Sequence, residues 1–414
     1  MAQARRIVII NDSSIARGGA TALALSLAFA LRKHGREVTF FAGDKGDNPD
    51  FDGAGIAVEA LGGARINSSR RKAFLNGIHN RSAYRKLLRY IQSQDGDDVV
   101  YHVHGWAQIL SPAIFGALKR VRGRVLLTAH DFFYACPNGN YTNFQKTAPC
   151  ALKPMSLRCA TSHCDKRNYG HKIWRLIRQA NLRRILPPRA GLFPIMMIQP
   201  DMATYLARGA VRRDALSTMT NPAERLLPAR VNAAQNKIAL YVGRLEHEKG
   251  PDLLAAAAAR CNMPVTFVGE GPAEEAVRKA NPDADIRGWM DRPALAQMLA
   301  QARILVMPSR CVEPFGLAAA EAISVGVPAV VSTTSLLGSL IEKCDAGVVA
   351  DFHNIDGVAG LLSDLMQDNP RVDAMSRAAY MNANQLSQSK DEWVDHHIIR
   401  YDEMVNAANG SRET

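Results

Sequence analysis

Two acids, Glu313 and Glu321, flank the stretch PFGLAAA, an apolar run of the kind that is usually buried. Some sixty residues upstream, YVGRLEHEKGPDLL delivers two cations, Arg244 and Lys249, just after a strand that ends at Gly243. Cations beside the start of a helix make an anion site, because guanidinium, ammonium and first-turn N–H groups all favour the same negative ligand. A diphosphate suits that loop, although a salt bridge to Glu246 or Glu248 accounts for the two cations equally well.

Pro314 and Gly316 interrupt the chain after the strand RILVMPS, so Glu313 is expected in a loop and Glu321 in the helix built from LAAAEAI. Carboxylates accept hydrogen bonds from paired hydroxyls, while the backbone amides of Phe315, Gly316 and Leu317 donate from the helix start. A polyhydroxylated ligand carrying a phosphate matches that mixture of acceptors and donors. A helix-terminal charge plus one surface glutamate is the competing reading.

Elements must hold these groups at one end of a sheet. RRIVIIN, DSSIARGGA, TALALSLAFALRKHG and EVTFFAG read as strand, glycine turn, helix and strand, with Gly35 at the helix C-cap. The rhythm returns in DVVYHVH, a helix around Ile109–Lys119 and RVLLTAH. Beyond Asn221-Pro222 and an Ala-rich linker it resumes in KIALYVG, PVTFVG, DIRGW, RILVMPS and PAVVS. These strands are continuous apolar runs, as strands covered on both faces of a parallel sheet are. The expected fold class is α/β, with two doubly wound Rossmann-like domains over residues 1–225 and 226–385, the first carrying a Cys-containing insertion at about 134–189. Ligands of such sheets bind outside the carboxyl ends of the strands, so two facing domains would enclose a cleft. A final helix within residues 386–414 carries Trp393, His397, Ile398 and Tyr401 at helical spacing and is expected to pack back across the domains.

Charge divides the chain. Residues 1–225 hold 34 Lys and Arg against 15 Asp and Glu, a balance of +19, whereas residues 226–414 hold 17 against 24, a balance of −7. A basic half suits a polyanion, an anionic membrane surface or a phosphorylated substrate; a solvated surface with no partner is the plainer reading. No apolar run reaches the ~18 residues of a transmembrane helix, and ARRIVII passes straight into NDSS where a signal peptide would continue. The expected location is cytoplasmic, with peripheral attachment to the inner face of a membrane.

The pair GRLEHEKG and EPFGLAAAEAISVGVPAVVS, in this order and spacing, resembles the retaining glycosyltransferases of family 4, which have the GT-B fold. The GGA turn, VYHVHGW, LLTAHD, TNP and IRGWM are similar to further landmarks of that family. The resemblance implies that Arg244 and Lys249 hold a donor diphosphate, that Glu321 binds the nucleotide ribose, and that Glu313 contacts the transferred sugar with support from the amides of Phe315 and Gly316. It further implies that Gly18 and Gly19 form a turn whose backbone approaches phosphate, and that His130 lies beside sugar and acceptor. His104 is a weaker candidate for acceptor contact, with core packing as its alternative. Transfer would then need no metal, since Arg244 and Lys249 can stabilise the charge that develops on the diphosphate. Asp95-Gly96-Asp97 has the form of a metal-binding Asp-x-Asp, but it precedes the strand VVYHV as a turn does.

The segment from Cys136 to about Arg189 departs from the family. Cys136, Cys150, Cys159 and Cys164 fall close together, and four thiolates in a loop-rich segment can close a structural zinc site; unligated thiols, disulfides and an iron–sulfur cluster remain open, and His163 could replace one ligand. After them, Ile173, Trp174, Leu176, Ile177 and Ala180 share a helical face with Arg175 and Arg178 opposite. With Arg65, Arg70, Arg71, Lys72, Arg81, Arg85, Lys86 and Arg89, this basic amphipathic helix reads as a membrane-surface element, its alternative being ordinary packing on its own domain.

The function expected is transfer of a sugar from a nucleotide-diphosphate-sugar donor to a polysaccharide, glycolipid or lipid-linked acceptor, with retention and without a catalytic cofactor. A nucleotide-sugar epimerase or phosphorylase-like enzyme on the same fold is the nearer rival. A zinc-containing nucleic-acid-binding protein is the more distant one, because it leaves the acidic half and its motif pair without a purpose, so no nucleic acid partner is expected.

Overall fold

The computed structural model describes residues 2–16, 18–64 and 71–410, the side chains of 71–73 excepted. Arg65 and Arg70, and the side chains of Arg71 and Lys72, lie outside the described residues. The chain divides into two units: Met1–Asn140, Ala151–Met219 and Asp391–Thr414 form the first, and Tyr141–Cys150 with Thr220–Lys390 form the second.

The strands are β1 (Arg6–Asn11), β2 (Glu37–Ala42), β3 (Ala57–Ala60), β4 (Val99–Val103), β5 (Val125–Ala129), β6 (Thr142–Asn143), β7 (Ala148–Pro149), β8 (Ile195–Met197) and β9 (Leu216–Thr218) in the first 219 residues. They continue with β10 (Ile238–Val242), β11 (Val265–Val268), β12 (Asp285–Ile286), β13 (Ala302–Met307), β14 (Ala329–Ser332) and β15 (Gly347–Ala350). The first unit holds the sheet β3-β2-β1-β4-β5-β8-β9 and the second β12-β11-β10-β13-β14-β15, both parallel throughout. Every residue of β4, β5 and β11 is buried, as continuous apolar strands covered by helices on both faces require. The two doubly wound Rossmann-like units expected from the sequence are therefore present. In each sheet the strand order reverses beside the first strand, between β1 and β4 and between β10 and β13, which is where such sheets bind ligands.

Two boundaries differ from the expected ones. Unit two begins at Thr220, before the expected break at 225/226, because the linker packs on it: Ala223 N–H donates to Gln388 O at 3.1 Å, and Val231 N–H to Val325 O at 2.8 Å. The short hairpin β6–β7 sits within the Cys-containing insertion yet belongs to unit two, where Val312 N–H donates to Thr142 Oγ1 at 3.3 Å.

The C-terminal helix, Lys390–Gly410, returns to the first unit from Asp391 onward. It buries Trp393, Val394, His397, Tyr401, Met404 and Val405. Asp402 pins it by accepting from Ala4 N–H at 2.7 Å and from Arg36 Nη2 at 3.0 Å. Among the described residues no helix is long and apolar enough to cross a membrane.

Candidate functional site

In the second unit, the loops after β10 and β13 carry the expected chemistry and flank the switch point of the sheet. Arg244 follows β10, its side chain largely exposed and paired with Glu246. Lys249 lies at the end of the same loop and pairs with Glu313, which follows β13. Burial alone lowers the Lys249 pKa, but the Glu313 carboxylate more than offsets it, so the ammonium stands above the ordinary lysine value.

The two loops are stapled by a residue that spacing alone did not single out. Arg310 makes two 2.7 Å hydrogen bonds to Asp252, donates to His247 O at 2.8 Å, and its own N–H reaches Glu248 O at 2.9 Å. Paired guanidinium–carboxylate bonds of this kind fix orientation as well as distance. Glu313 is held through its backbone: its N–H donates to Thr334 O at 3.1 Å and its carbonyl accepts from Leu336 N–H at 3.0 Å. Glu313 therefore sits in a rigid loop with its carboxylate already turned toward Lys249.

Gly316 caps the helix Leu317–Ser324 with φ 80°, and a Cβ there would lie 2.7 Å from the Met307 thioether. The positive φ favours glycine, while the Met307 side chain could give way to a Cβ; the amides of Phe315, Gly316 and Leu317 lead into the first helical turn, in which Ala319 and Ala320 N–H donate to Gly316 O. Glu321, one turn further, is partly buried and paired with Arg292 at 2.6 Å, which also reaches Glu224 at 2.6 Å. Burial pushes the Glu321 carboxyl up, only in part opposed by Arg292.

Gly269 and Gly271 shape the Arg244 loop from the neighbouring strand end. A Cβ at Gly269 would lie 1.9 Å from Gly243 O, and one at Gly271 would lie 2.3 Å from Leu245 O. This close approach lets Leu245 N–H donate to Glu270 O at 2.9 Å and fixes the start of the Arg244 loop. The signal available was a G-x-G directly after the strand VTFV.

In the first unit, Gly18 precedes the helix Gly19–Lys33 with extended backbone, and a Cβ at Gly18 would meet nothing within 4 Å. Neither conformation nor packing calls for glycine at 18, in contrast to Gly316. His130 follows β5, and His104 follows β4 beside the switch point. The two are joined, His104 Nδ1 to His130 Nε2, at 3.0 Å, and His104 is buried. Burial pushes His130 down to about 4, with His397 adding to the effect, so its imidazole is neutral. Asp131 beside it is pushed up to about 6, again by burial. Asp95 is spent on Arg124, at 2.9 and 2.8 Å, and on the Tyr101 hydroxyl at 3.1 Å, as a structural turn residue.

Of the four cysteines expected at a structural zinc site, two face a lysine. Lys172 is buried and its ammonium lies 3.2 Å from Cys164 Sγ and 3.6 Å from Cys159 Sγ, while Cys136 Sγ is bonded to Asn138 Oδ1 at 3.1 Å. Cys150 falls in the segment counted with the second unit. Among the described residues no three His, Cys, Asp or Glu side chains stand where they could hold a metal ion. Cys159 and Cys164 thus share one ammonium.

The helix Tyr169–Ile185 also faces differently from expectation. Arg178 is buried, donating to Ala107 O and Pro137 O at 3.0 and 3.2 Å and stacked 4.6 Å from the Phe133 ring. Trp174 is buried too, its Nε1 donating to Phe74 O at 2.9 Å. Arg175 pairs with Asp165 at 2.5 Å. Ile173 and Ile177 are left facing solvent, with Leu157 81% exposed nearby in the sequence.

The family profile described as "Glycosyl transferases group 1" matches residues 224–382, and the one described as "Glycosyltransferase Family 4" matches residues 17–184. The "Glycogen synthase" of Mycobacterium tuberculosis is 32% identical over 151 residues, 34% of this chain and 36% of its own. The "GDP-mannose-dependent alpha-(1-6)-phosphatidylinositol dimannoside mannosyltransferase" of the same organism is 41% identical over 120 residues, 27% and 31% of the two chains. The chain thus spans about a third of the length of these curated relatives. Sucrose-phosphate synthase from Thermosynechococcus elongatus superposes with a TM-score of 0.70 over 97% of this chain and 100% of that one, at 18% identity, a likeness that shows the fold.

Proposed function

For a chain that belongs to the family 4 glycosyltransferases, with their GT-B fold, we propose a retaining, metal-independent transfer of a sugar from a nucleotide-diphosphate-sugar donor to a glycan or lipid-linked acceptor. The observation that carries this reading is the pair of loops at the second unit's switch point, where Lys249 and Glu313 are already joined and Arg310 locks their backbones. A diphosphate draws on Arg244 and Lys249 as its charge grows on bond cleavage, and fixed cations stabilise that charge without reorganisation. Glu313, bound to Lys249, is available to sugar hydroxyls, and Glu321 offers its second oxygen to ribose hydroxyls while Arg292 holds the first. Retention follows if the acceptor attacks the face from which the diphosphate departs, with a departing phosphate oxygen taking the proton. The relatives' printed names support an activated sugar as donor, one of them a GDP-mannose.

The test is thermal stabilisation of the purified protein by a panel of nucleotides and nucleotide sugars, in chelator, followed by product analysis with the ligand that shifts it. Ligand at a hundred times its Kd adds about 2.7 kcal/mol. A selective shift that disappears in Arg244→Ala, and a product whose anomeric configuration matches the donor, support the reading. Donor isomerised in the absence of any acceptor establishes the epimerase instead.

The exposed Ile173, Ile177 and Leu157, with Arg158, Lys166, Arg167 and Arg184 also exposed, fit contact with an anionic lipid surface, the setting of a lipid-linked acceptor. Ile173→Asp with Ile177→Asp is expected to abolish binding to vesicles containing anionic lipid. If the parent does not bind such vesicles, the acceptor is taken from solution.

A further inference from the structure

Three histidines of the first unit form a chain that runs from His130 inward to the C-terminal helix. His130 Nε2 lies 3.0 Å from His104 Nδ1, and His104 Nε2 lies 3.2 Å from His102 Nδ1. His102 Nδ1 also lies 2.7 Å from the Tyr401 hydroxyl, and its Nε2 lies 2.7 Å from Thr128 Oγ1. His102, His104 and Tyr401 are buried, whereas His130 retains partial exposure and forms the accessible end. His397 stacks nearby, 5.6 Å from the His102 ring, with its Nδ1 donating to Trp393 O at 2.7 Å.

Burial pushes all four imidazoles below the ordinary histidine value, so each carries one ring proton, and the chain admits two placements of those protons, one the reverse of the other, between which Tyr401 selects. A phenol is a better donor than acceptor and an imidazole nitrogen a better acceptor than a phenolic oxygen, so Tyr401 donates to His102 Nδ1. His102 then carries its proton on Nε2 and donates it to Thr128. Two bare lone pairs 3.2 Å apart repel, so His104 Nε2, which faces the bare Nδ1 of His102, must carry its proton. His104 Nδ1 is then bare, and His130 Nε2, 3.0 Å away, must be protonated in turn.

We infer that Tyr401, His102 and His104 are positioning residues that hold His130 in the Nε2–H tautomer, leaving its Nδ1 as a hydrogen-bond acceptor for a ligand hydroxyl. The C-terminal helix thereby sets the proton pattern of a side chain at the far end of the chain, and a single hydroxyl carries that instruction. The functional part rests on the transferase reading, in which His130 stands beside the sugar; the tautomer itself does not depend on it.

The test is imidazole ¹⁵N NMR of the full-length protein with labelled histidine, His130 being assigned by its loss in His130→Gln. The wild type is expected to show His130 protonated on Nε2 and bare on Nδ1. In Tyr401→Phe the donor to His102 Nδ1 is gone, so His102 can protonate there, donate to His104, and shift His130 toward Nδ1–H. Thr128→Val, which removes the acceptor of the His102 proton, is expected to move His130 the same way and serves if Tyr401→Phe does not fold. With the transferred sugar known, kcat should fall about tenfold in either variant while the donor KM stays within twofold. A wild-type His130 protonated on Nδ1, or a tautomer unchanged in both folded variants, overturns the inference. Correct tautomers in a protein that transfers no sugar leave the proton chain standing and remove only its proposed use.

Discussion

The loops at the two switch points solve opposite electrostatic problems. In the second unit, charge is kept and neutralised locally: Lys249 pairs with Glu313, Arg244 with Glu246, Arg310 with Asp252 and Arg292 with Glu321. In the first, His102, His104 and His130 are held neutral and satisfied mainly by one another, by Tyr401 and by Thr128, with His397 neutral beside them and bonded to Trp393 O. Charged pairs suit a ligand that brings formal charge, because a diphosphate can compete with a carboxylate for a cation. A neutral hydrogen-bonded chain suits a ligand of hydroxyls, for which direction matters more than charge. The sign of the wider surface points elsewhere, since the more basic half of the sequence is the one with the uncharged cluster.

The contrast breaks first under acid. The unfolded chain protonates its histidines near pH 6.5, whereas His130 and His397 wait in the fold until about 4, and burial holds His102 and His104 well below the ordinary value. The unfolded state therefore binds more protons below pH 6.5, and stability present at neutral pH is lost as pH falls. Asp131, protonated in the fold near 6, works the other way with one group. Moving from pH 7.5 to 5.5 should cost roughly 5 kcal/mol, read from urea unfolding, at about 1.4 kcal/mol per group and pH unit. A loss below 1 kcal/mol would mean that the cluster is not neutral.

Lys249→Met attacks the charged side. It removes a cation and leaves Glu313 partly buried without its partner, so turnover should drop by about 10²–10³, the usual cost of losing one preorganised charge-stabilising group. Steady-state kinetics with the identified donor decides this, and a change below threefold would take Lys249 out of the chemistry. The smallest effect is expected from Arg292→Gln, which releases one oxygen of Glu321. Arg292 is half exposed, and such a pair contributes about 0.2–1 kcal/mol, so the melting temperature should barely move. Nucleotide affinity, measured calorimetrically, is expected to change by less than about fivefold.

What could be seen in the sequence followed from local rules. Continuous apolar strands announced parallel sheets, and the Pro314–Gly316 break placed Glu313 in a loop and Glu321 in a helix. What could not be seen depends on side chains that the fold, not the spacing, brings together. Arg178 looked like a solvated cation until Ala107, Pro137 and Phe133 came to meet it. The four cysteines suggested a metal because spacing says nothing of Lys172, which the helix Tyr169–Ile185 inserts among the thiols. His102 near the end of β4 and His104 just beyond it lie two apart, a visible pattern, but Tyr401 is some three hundred residues away.

The division of the chain has a practical side. Tyr141–Cys150 lies in the N-terminal half of the sequence but is counted with the second unit, and Asp391–Thr414 returns to the first, so no single cut separates complete units. A fragment ending near Met219 forfeits Tyr401 and the Asp402 clasp on Arg36; one beginning at Thr220 lacks the hairpin whose Thr142 accepts from Val312. Exchange of the first unit with that of a relative must therefore carry three pieces together.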